Sequence, residues 1–212
     1  MQPPVLASGI ILAGGDSSRM GLDKSLLPWK NGTVIGYIVQ ELRRIAPEII
    51  IVSNHSGKYT FPGSKEISDE FINMGPLGGI HAGLKAASHD YVFVTACDLP
   101  FFDKRLALYL LEQLWGFQAA VPQQGALSEP LFAAYDKSCL PVFESCLQQG
   151  ISKVQEAYSQ LRINYVSEEK LKRIADSDTV FFNLNTPRDY ALLQKNLENL
   201  ACAKPLWRRG KP

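Results

Sequence analysis

Residues 12–24 read LAGGDSSRMGLDK and follow an apolar run, Val5 to Ile11, that has the composition of a buried strand. The paired Gly14 and Gly15 allow a sharp turn in which successive backbone N–H groups face an anion. Arg19 and Lys24 bring two cations within reach of the same point. A strand, a small-residue loop and two cations suit a polyphosphate, with a tight surface turn carrying two solvated cations as the alternative. Two familiar phosphate loops are excluded. The P-loop needs four residues between its glycines and a Gly-Lys pair, whereas Gly15 and Gly21 enclose five and Leu22 and Asp23 precede Lys24. The dinucleotide spacing G-x-G-x-x-G does not occur beside this strand.

Working outward, Leu26 to Lys30 is a short extended piece before the turn pair Asn31-Gly32, and Val34 to Ile45 carries apolar residues at helical spacing up to Pro47. Glu48 to Val52 and Tyr91 to Ala96 are continuous apolar runs of the kind buried on both faces of a parallel sheet. Each ends in polar residues at the edge where open α/β sheets bind ligands. Asn54 at the first tip pairs with a base edge or closes a turn, and His55 reads as an exposed loop histidine. Asp98 at the second tip is placed to hold Mg²⁺ or is a turn residue before Pro100. Asp69 falls just past a short strand around Ile67. The glycine-rich run Asn73 to Ile80 enters a helix to Ala87, leaving free N–H groups for a ligand or permitting close packing on the sheet.

Asp103 caps a helix to Leu114. Phe117 to Pro122 and a stretch entered from Glu129 are strands, and helices are expected over Pro141 to Gln149 and from a Ser152/Gln155 capping box onward. Val180 to Phe182 reads as a last strand, and Thr186, Pro187 and Asp189 as a helix start. Asn183 and Asn185 share a side if the backbone there is extended.

The chain has 212 residues, 46% hydrophobic and 20% charged, with a net charge of +1. That balance fits one α/β domain over residues 1–200 and a basic, mobile tail over 201–212, and it gives no global attraction to nucleic acid or an anionic membrane. The four scattered cysteines form no C-x-x-C pair, which disfavours zinc and a disulfide framework. A soluble, cytoplasmic protein without signal peptide or membrane span is expected.

Taken in order, LAGGDSSRMGLDK, the Asn54 strand end, Asp69 before GPLGGI, CDLPF and NLNTPRD resemble the molybdenum cofactor guanylyltransferases, from Ile10 to about Leu200. The resemblance implies a three-layer α/β/α, Rossmann-like nucleotide-diphosphosugar-transferase fold with a mostly parallel sheet. It also implies transfer of GMP from GTP to Mo-molybdopterin with release of pyrophosphate. By motif position, Leu12, Ala13, Gly14 and Gly15 would contact GTP, with Arg19 and Lys24 on its phosphates and Asn54 and Asp69 at the guanosine. Asp98 would hold Mg²⁺, Asn183 and Asn185 would face the pterin, and Gly78 and Gly79 would line either ligand. The expected partners are these substrates and other molybdenum cofactor biosynthesis proteins or recipient apo-enzymes, with the chain a monomer. A cytidylyltransferase for the same pterin, a sugar-phosphate nucleotidylyltransferase and a non-catalytic nucleotide-binding module are the competing readings. Gly14, where cytidylyl relatives read LAAG, favours guanine.

Overall fold

The computed structural model describes residues 6–14, 23–54 and 57–200. Expectations for Gly15, Arg19, His55 and the basic tail therefore lie outside the described residues. In chain order the elements are β1 (Ala7–Leu12), the hairpin β2 (Pro28–Trp29) and β3 (Gly32–Thr33), α1 (Val34–Leu42), β4 (Glu48–Val52), β5 (Ser64–Ile67), α2 (Gly75–Ala86), β6 (Tyr91–Ala96) and α3 (Lys104–Glu112). There follow β7 (Ala119–Gln124), β8 (Leu127–Ser128), β9 (Phe132–Asp136), α4 (Leu140–Gln148), α5 (Val154–Ala157), β10 (Ile163–Ser167), α6 (Glu168–Ile174), α7 (Ser177–Val180) and α8 (Pro187–Leu200).

The main sheet has the order β10-β7-β9-β6-β1-β4-β5, with β8 paired to β7. Strands β5, β4, β1 and β6 run parallel, and β9 is antiparallel to both of its neighbours, β6 and β7. The result is the expected mostly parallel sheet with helices on both faces. Alternate residues of each central strand feed opposite cores. Ile11, Ile49, Ile51 and Phe93 pack with α1, α3, α6 and α8, and Ile10, Ile50, Val92 and Val94 pack with α2 and α4.

Two glycines set how closely helices approach β1. A Cβ on Gly9 would stand 2.6 Å from Leu42 of α1, and one on Gly83 of α2 would stand 2.5 Å from Ile10. Neither gap admits a methyl group. Because Gly83 holds α2 against β1, the start of that helix lies beside the C-terminal ends of β1 and β4.

Two helix starts, at Asp103 and Thr186, are capped as expected, and a third cap, Thr33, was not singled out in the sequence. Thr33 accepts from the Gly36 N–H at 3.2 Å, and the Asp103 carboxylate accepts from the Arg105 and Leu106 N–H groups at 2.8 and 3.4 Å. Thr186 accepts from the Asp189 N–H at 3.2 Å while the Asp189 carboxylate accepts from the Thr186 N–H at 2.7 Å.

Three expectations are corrected. Val180 to Phe182 is not a strand: Val180 closes α7, and the aromatic residues after it are apolar because Phe181 packs edge-on against Phe132 at 5.6 Å and Phe182 against Phe101 at 5.9 Å. The Ser152/Gln155 capping box is not made, since α5 begins at Val154 after Lys153 with no side-chain cap. Finally, β10 forms a parallel edge strand on β7 where no strand was expected; four of its five residues are at least partly exposed, so it lacks the buried apolar run of a central strand.

Candidate active site

The C-terminal ends of β1, β4 and β6, the segment after β5 and the start of α2 enclose a cavity of about 610 Å³. Its walls include Leu12, Gly14, Asn54, Asp69, Gly79 and Asp98, all singled out in the sequence, together with Asn73, Pro76, Cys97 and Leu131. Residues nearly ninety positions apart meet here because parallel strands all deliver their following loops to one edge of the sheet.

On the β1 side, the Ala13 N–H donates to the Val52 carbonyl at 2.8 Å, and Cys97 N–H donates to the Leu12 carbonyl at 3.0 Å. These bonds carry the sheet pattern one residue beyond the strand and fix where the loop departs. Among the described residues, a Cβ on Gly14 would meet no atom within 4 Å, and Gly14 lines the cavity.

At the far side, Asn54 Oδ1 accepts from the Asp69 N–H at 3.4 Å, and the Asn54 amide also bonds the Asp69 carboxylate. The Asn54 side chain thus bonds across fifteen residues to Asp69 and does not close a turn of its own loop in this contact, while still lining the cavity. Burial pushes the Asp69 carboxyl above its ordinary range, with the Asn54 bond opposing. The helix behind it is tight: a Cβ on Gly79 would stand 3.1 Å from Leu12 Cδ2 and 3.6 Å from Asp69 Oδ1, and one on Gly78 would stand 3.0 Å from the Phe71 carbonyl. Gly79 is therefore part of the cavity wall, and Gly78 is a packing glycine absent from it. The glycines lie within α2 rather than before it, so close packing accounts for them.

Asp98 follows β6 and is held by the residues around it. Leu99 and Phe102 are buried behind it, Phe102 packs edge-on to Phe93 at 5.9 Å, and the Leu184 N–H donates to the Asp98 carbonyl at 2.9 Å. Burial pushes the Asp98 carboxyl up, and the nearby Lys24 ammonium pulls it back. Lys24 Nζ donates to Asn185 Oδ1 at 3.1 Å. Asn183 and Asn185 are exposed on either side of the buried Leu184, as an extended backbone requires, although no strand forms there. The Asn183 amide donates to the Phe181 carbonyl at 3.4 Å.

Among the described residues, no group of three or more His, Cys, Asp and Glu side chains could hold a metal ion. Asp98, a largely buried carboxylate on the cavity wall, is a single oxygen donor of the kind that Mg²⁺ accepts when other ligands complete its shell.

Residues 9–162 match the MobA-like NTP transferase domain. The chain belongs to this family. A relative from Pelotomaculum thermopropionicum named "Probable molybdenum cofactor guanylyltransferase" is 40% identical over 91% of this chain and 94% of its own length. The molybdenum cofactor guanylyltransferase of Syntrophotalea carbinolica is 35% identical over 86% of this chain and 88% of its own. Among solved structures, molybdopterin-guanine dinucleotide biosynthesis protein A from Archaeoglobus fulgidus superposes with a TM-score of 0.78 at 25% identity, covering 91% of this chain and 99% of that one.

Within this MobA-like domain, four residues that adjoin Lys24 without lining the cavity were not found by sequence reasoning. Asp23, Ser25, Lys58 and Tyr59 form a bonded cluster beside Lys24. Only Asp23 left a trace, as a capping-type residue ahead of a 3-10 turn, Lys24–Leu26. Lys58 and Tyr59 sit in an irregular connection with no periodicity to read. Asn73 adopts φ 62°, a left-handed conformation that asparagine tolerates better than most residues, and this turns the chain into α2 at the cavity wall.

Proposed function

We propose that this chain is a molybdenum cofactor guanylyltransferase, transferring GMP from GTP to Mo-molybdopterin to give Mo-molybdopterin guanine dinucleotide and pyrophosphate. The names of its relatives support the reaction. The observation that carries it is the meeting of Leu12 and Gly14 at the end of β1, the Asn54/Asp69 pair and Asp98 around one cavity of nucleotide-binding size.

In this reading an oxygen of the pterin's terminal phosphate attacks the α-phosphorus of GTP. The new P–O bond forms as the bond from the α-phosphorus to the α,β-bridging oxygen breaks, and pyrophosphate carries that electron pair away. A phosphate monoester with a second pKa of about 6 is already largely ionised at pH 7, so no base is needed and the lack of a catalytic histidine is expected. What remains is alignment and charge neutralisation. Backbone N–H groups around Gly14 and Gly15 cradle phosphate oxygens, and the Lys24 ammonium, with Arg19, offsets their charge. Asn183 and Asn185 face the pterin. Asp98 would hold Mg²⁺, which when bound would supply Lewis-acid stabilisation of charge on phosphate oxygens.

In this reading Asp69 recognises the base. When ionised its carboxylate accepts from the N1–H and N2–H₂ donors of guanine at once, whereas cytosine offers a single donor, its N4 amino group, beside the acceptor N3. The three described cysteines are free, which suits the cytoplasm, and no described helix is long and apolar enough to cross a membrane.

The test is pyrophosphate release with Mo-molybdopterin and either GTP or CTP. A clear preference for GTP is expected, and a preference for CTP would overturn the guanine reading. In the same assay Asp69→Asn should move preference from GTP toward XTP, because an amide N–H₂ pairs with the 2-oxo group of xanthine; an unaltered GTP preference would remove Asp69 from base recognition.

A further inference from the structure

The proposed reaction makes no use of the cluster beside Lys24. The Asp23 carboxylate accepts from the Ser25 N–H at 3.0 Å, the Ser25 hydroxyl at 2.6 Å and the Tyr59 hydroxyl at 3.2 Å, and it pairs with the Lys58 ammonium. The Ser25 and Tyr59 hydroxyls lie 2.8 Å apart, and both residues are buried. Burial opposes ionisation of Asp23, but the Lys58 and Ser25 bonds outweigh it and hold the carboxyl below its ordinary value. Burial pushes the Tyr59 hydroxyl up to about 12, so it stays a neutral donor.

The cluster joins two parts of the chain that serve different ends of the nucleotide. Asp23 and Ser25 flank Lys24, on the phosphate side. Lys58 and Tyr59 belong to the connection that leaves β4 after Asn54, on the base side, and the Tyr59 N–H donates to Glu66 of β5 at 3.4 Å, the strand that leads to Asp69. The Tyr59 hydroxyl is thus a bond between the two halves of the site and not a contact within either.

We propose that the Asp23–Ser25–Tyr59–Lys58 cluster is a positioning device that holds the base half and the triphosphate half of the site at the separation of an intact nucleoside triphosphate. This rests on the nucleotide reading given above. A ligand joined across two half-sites gains over its fragments only if the half-sites are held at the right spacing beforehand. Cutting the tie should therefore spare each fragment and weaken the joined ligand.

The test compares guanosine, inorganic tripolyphosphate and GTP binding, by calorimetry, to wild type, Tyr59→Phe and Ser25→Ala. Tyr59→Phe removes one hydroxyl and keeps the ring. Expected is a loss of GTP affinity of about tenfold, the scale of one hydrogen bond to a charged group. Guanosine and tripolyphosphate should change less than about threefold on the same scale. Ser25→Ala removes the Ser25–Tyr59 bond but leaves Tyr59 on Asp23, so it should give the same pattern with a smaller loss. If all three ligands weaken equally, or none does while the melting temperature falls, the cluster only stabilises the fold and the proposal is overturned. Wild-type protein that bound none of the three would instead overturn the nucleotide reading, and the inference with it.

Discussion

Glycine-to-alanine changes at positions 79 and 83, one turn apart on the same face of α2, should have opposite consequences. At Gly83 the added methyl would stand 2.5 Å from Ile10 Cδ1, 2.8 Å from Cγ2 and 3.0 Å from Cγ1. Ile10 is fully buried at the centre of the sheet and cannot give way. Overpacking of this kind costs about 1–3 kcal/mol, and the gain in helix propensity returns about 1 kcal/mol. With three carbons inside contact distance the upper part of the range applies, so Gly83→Ala should destabilise by about 1–2 kcal/mol. At Gly79 the nearest atom is Leu12 Cδ2 at 3.1 Å, the end of a side chain bordering the cavity, followed by Asp69 Oδ1 at 3.6 Å. A small shift of Leu12 relieves that contact, so stability should change by less than about 1 kcal/mol. The methyl then stands beside Asp69 in the cavity wall, and the KM for GTP should rise about tenfold or more. Urea unfolding, with the slope m checked for constancy, measures the first quantity, and steady-state pyrophosphate release measures the second. In the Gly83→Ala background, Ile10→Val removes the nearest carbon and should cost less than it does in wild type. A Gly83→Ala protein as stable as wild type, or a Gly79→Ala protein with unchanged KM for GTP, would refute the reasoning.

Other outcomes follow from the site. Asp98→Asn should lose at least about a hundredfold in turnover, the scale of removing one charge-stabilising group. The same variant should be more stable than wild type at pH 7: burial raises the folded-state pKa of Asp98, so the folded state is penalised above that value. The stability difference should shrink as pH falls through the ordinary carboxylate range near pH 4; a variant less stable than wild type at pH 7, by thermal melts across pH, would contradict this. Lys24→Ala should weaken GTP binding by about ten- to a hundredfold, and wild-type kinetics would remove it from the phosphates. Asn185 shares a bond with Lys24, so Asn185→Asp should pair with that ammonium and impair both substrates, whereas Asn183→Ala should raise the KM for Mo-molybdopterin alone. An equal rise in the KM for GTP would count against the pterin role of Asn183.

Much of the architecture was written locally. The runs Glu48–Val52 and Tyr91–Ala96 are buried strands over the bounds their composition marks, because a strand covered on both faces is apolar at nearly every position, Thr95 being the buried exception. Thr33, Asp103 and Thr186 cap helices as their side chains allow, since capping depends only on neighbours a few residues away. The same locality misled at Val180–Phe182, where apolar composition without alternation does not distinguish a strand from a packed turn.

What the sequence by itself determined is the central strands β1, β4 and β6, the caps at Asp103 and Thr186, and the identity of the residues Leu12, Gly14, Asn54, Asp69 and Asp98 at strand ends. Only the tertiary structure decided their division of labour. It assigned Gly79 to the cavity wall and Gly78 to packing, turned Asn54 toward Asp69, and tied Lys24 to Asn185 across 161 residues. It also brought Tyr59 to Asp23, a partnership with no local signature. The physical reason is range: strand burial and capping are settled by a side chain and its near neighbours, whereas a hydrogen bond between distant segments exists only once the sheet has set where each loop begins.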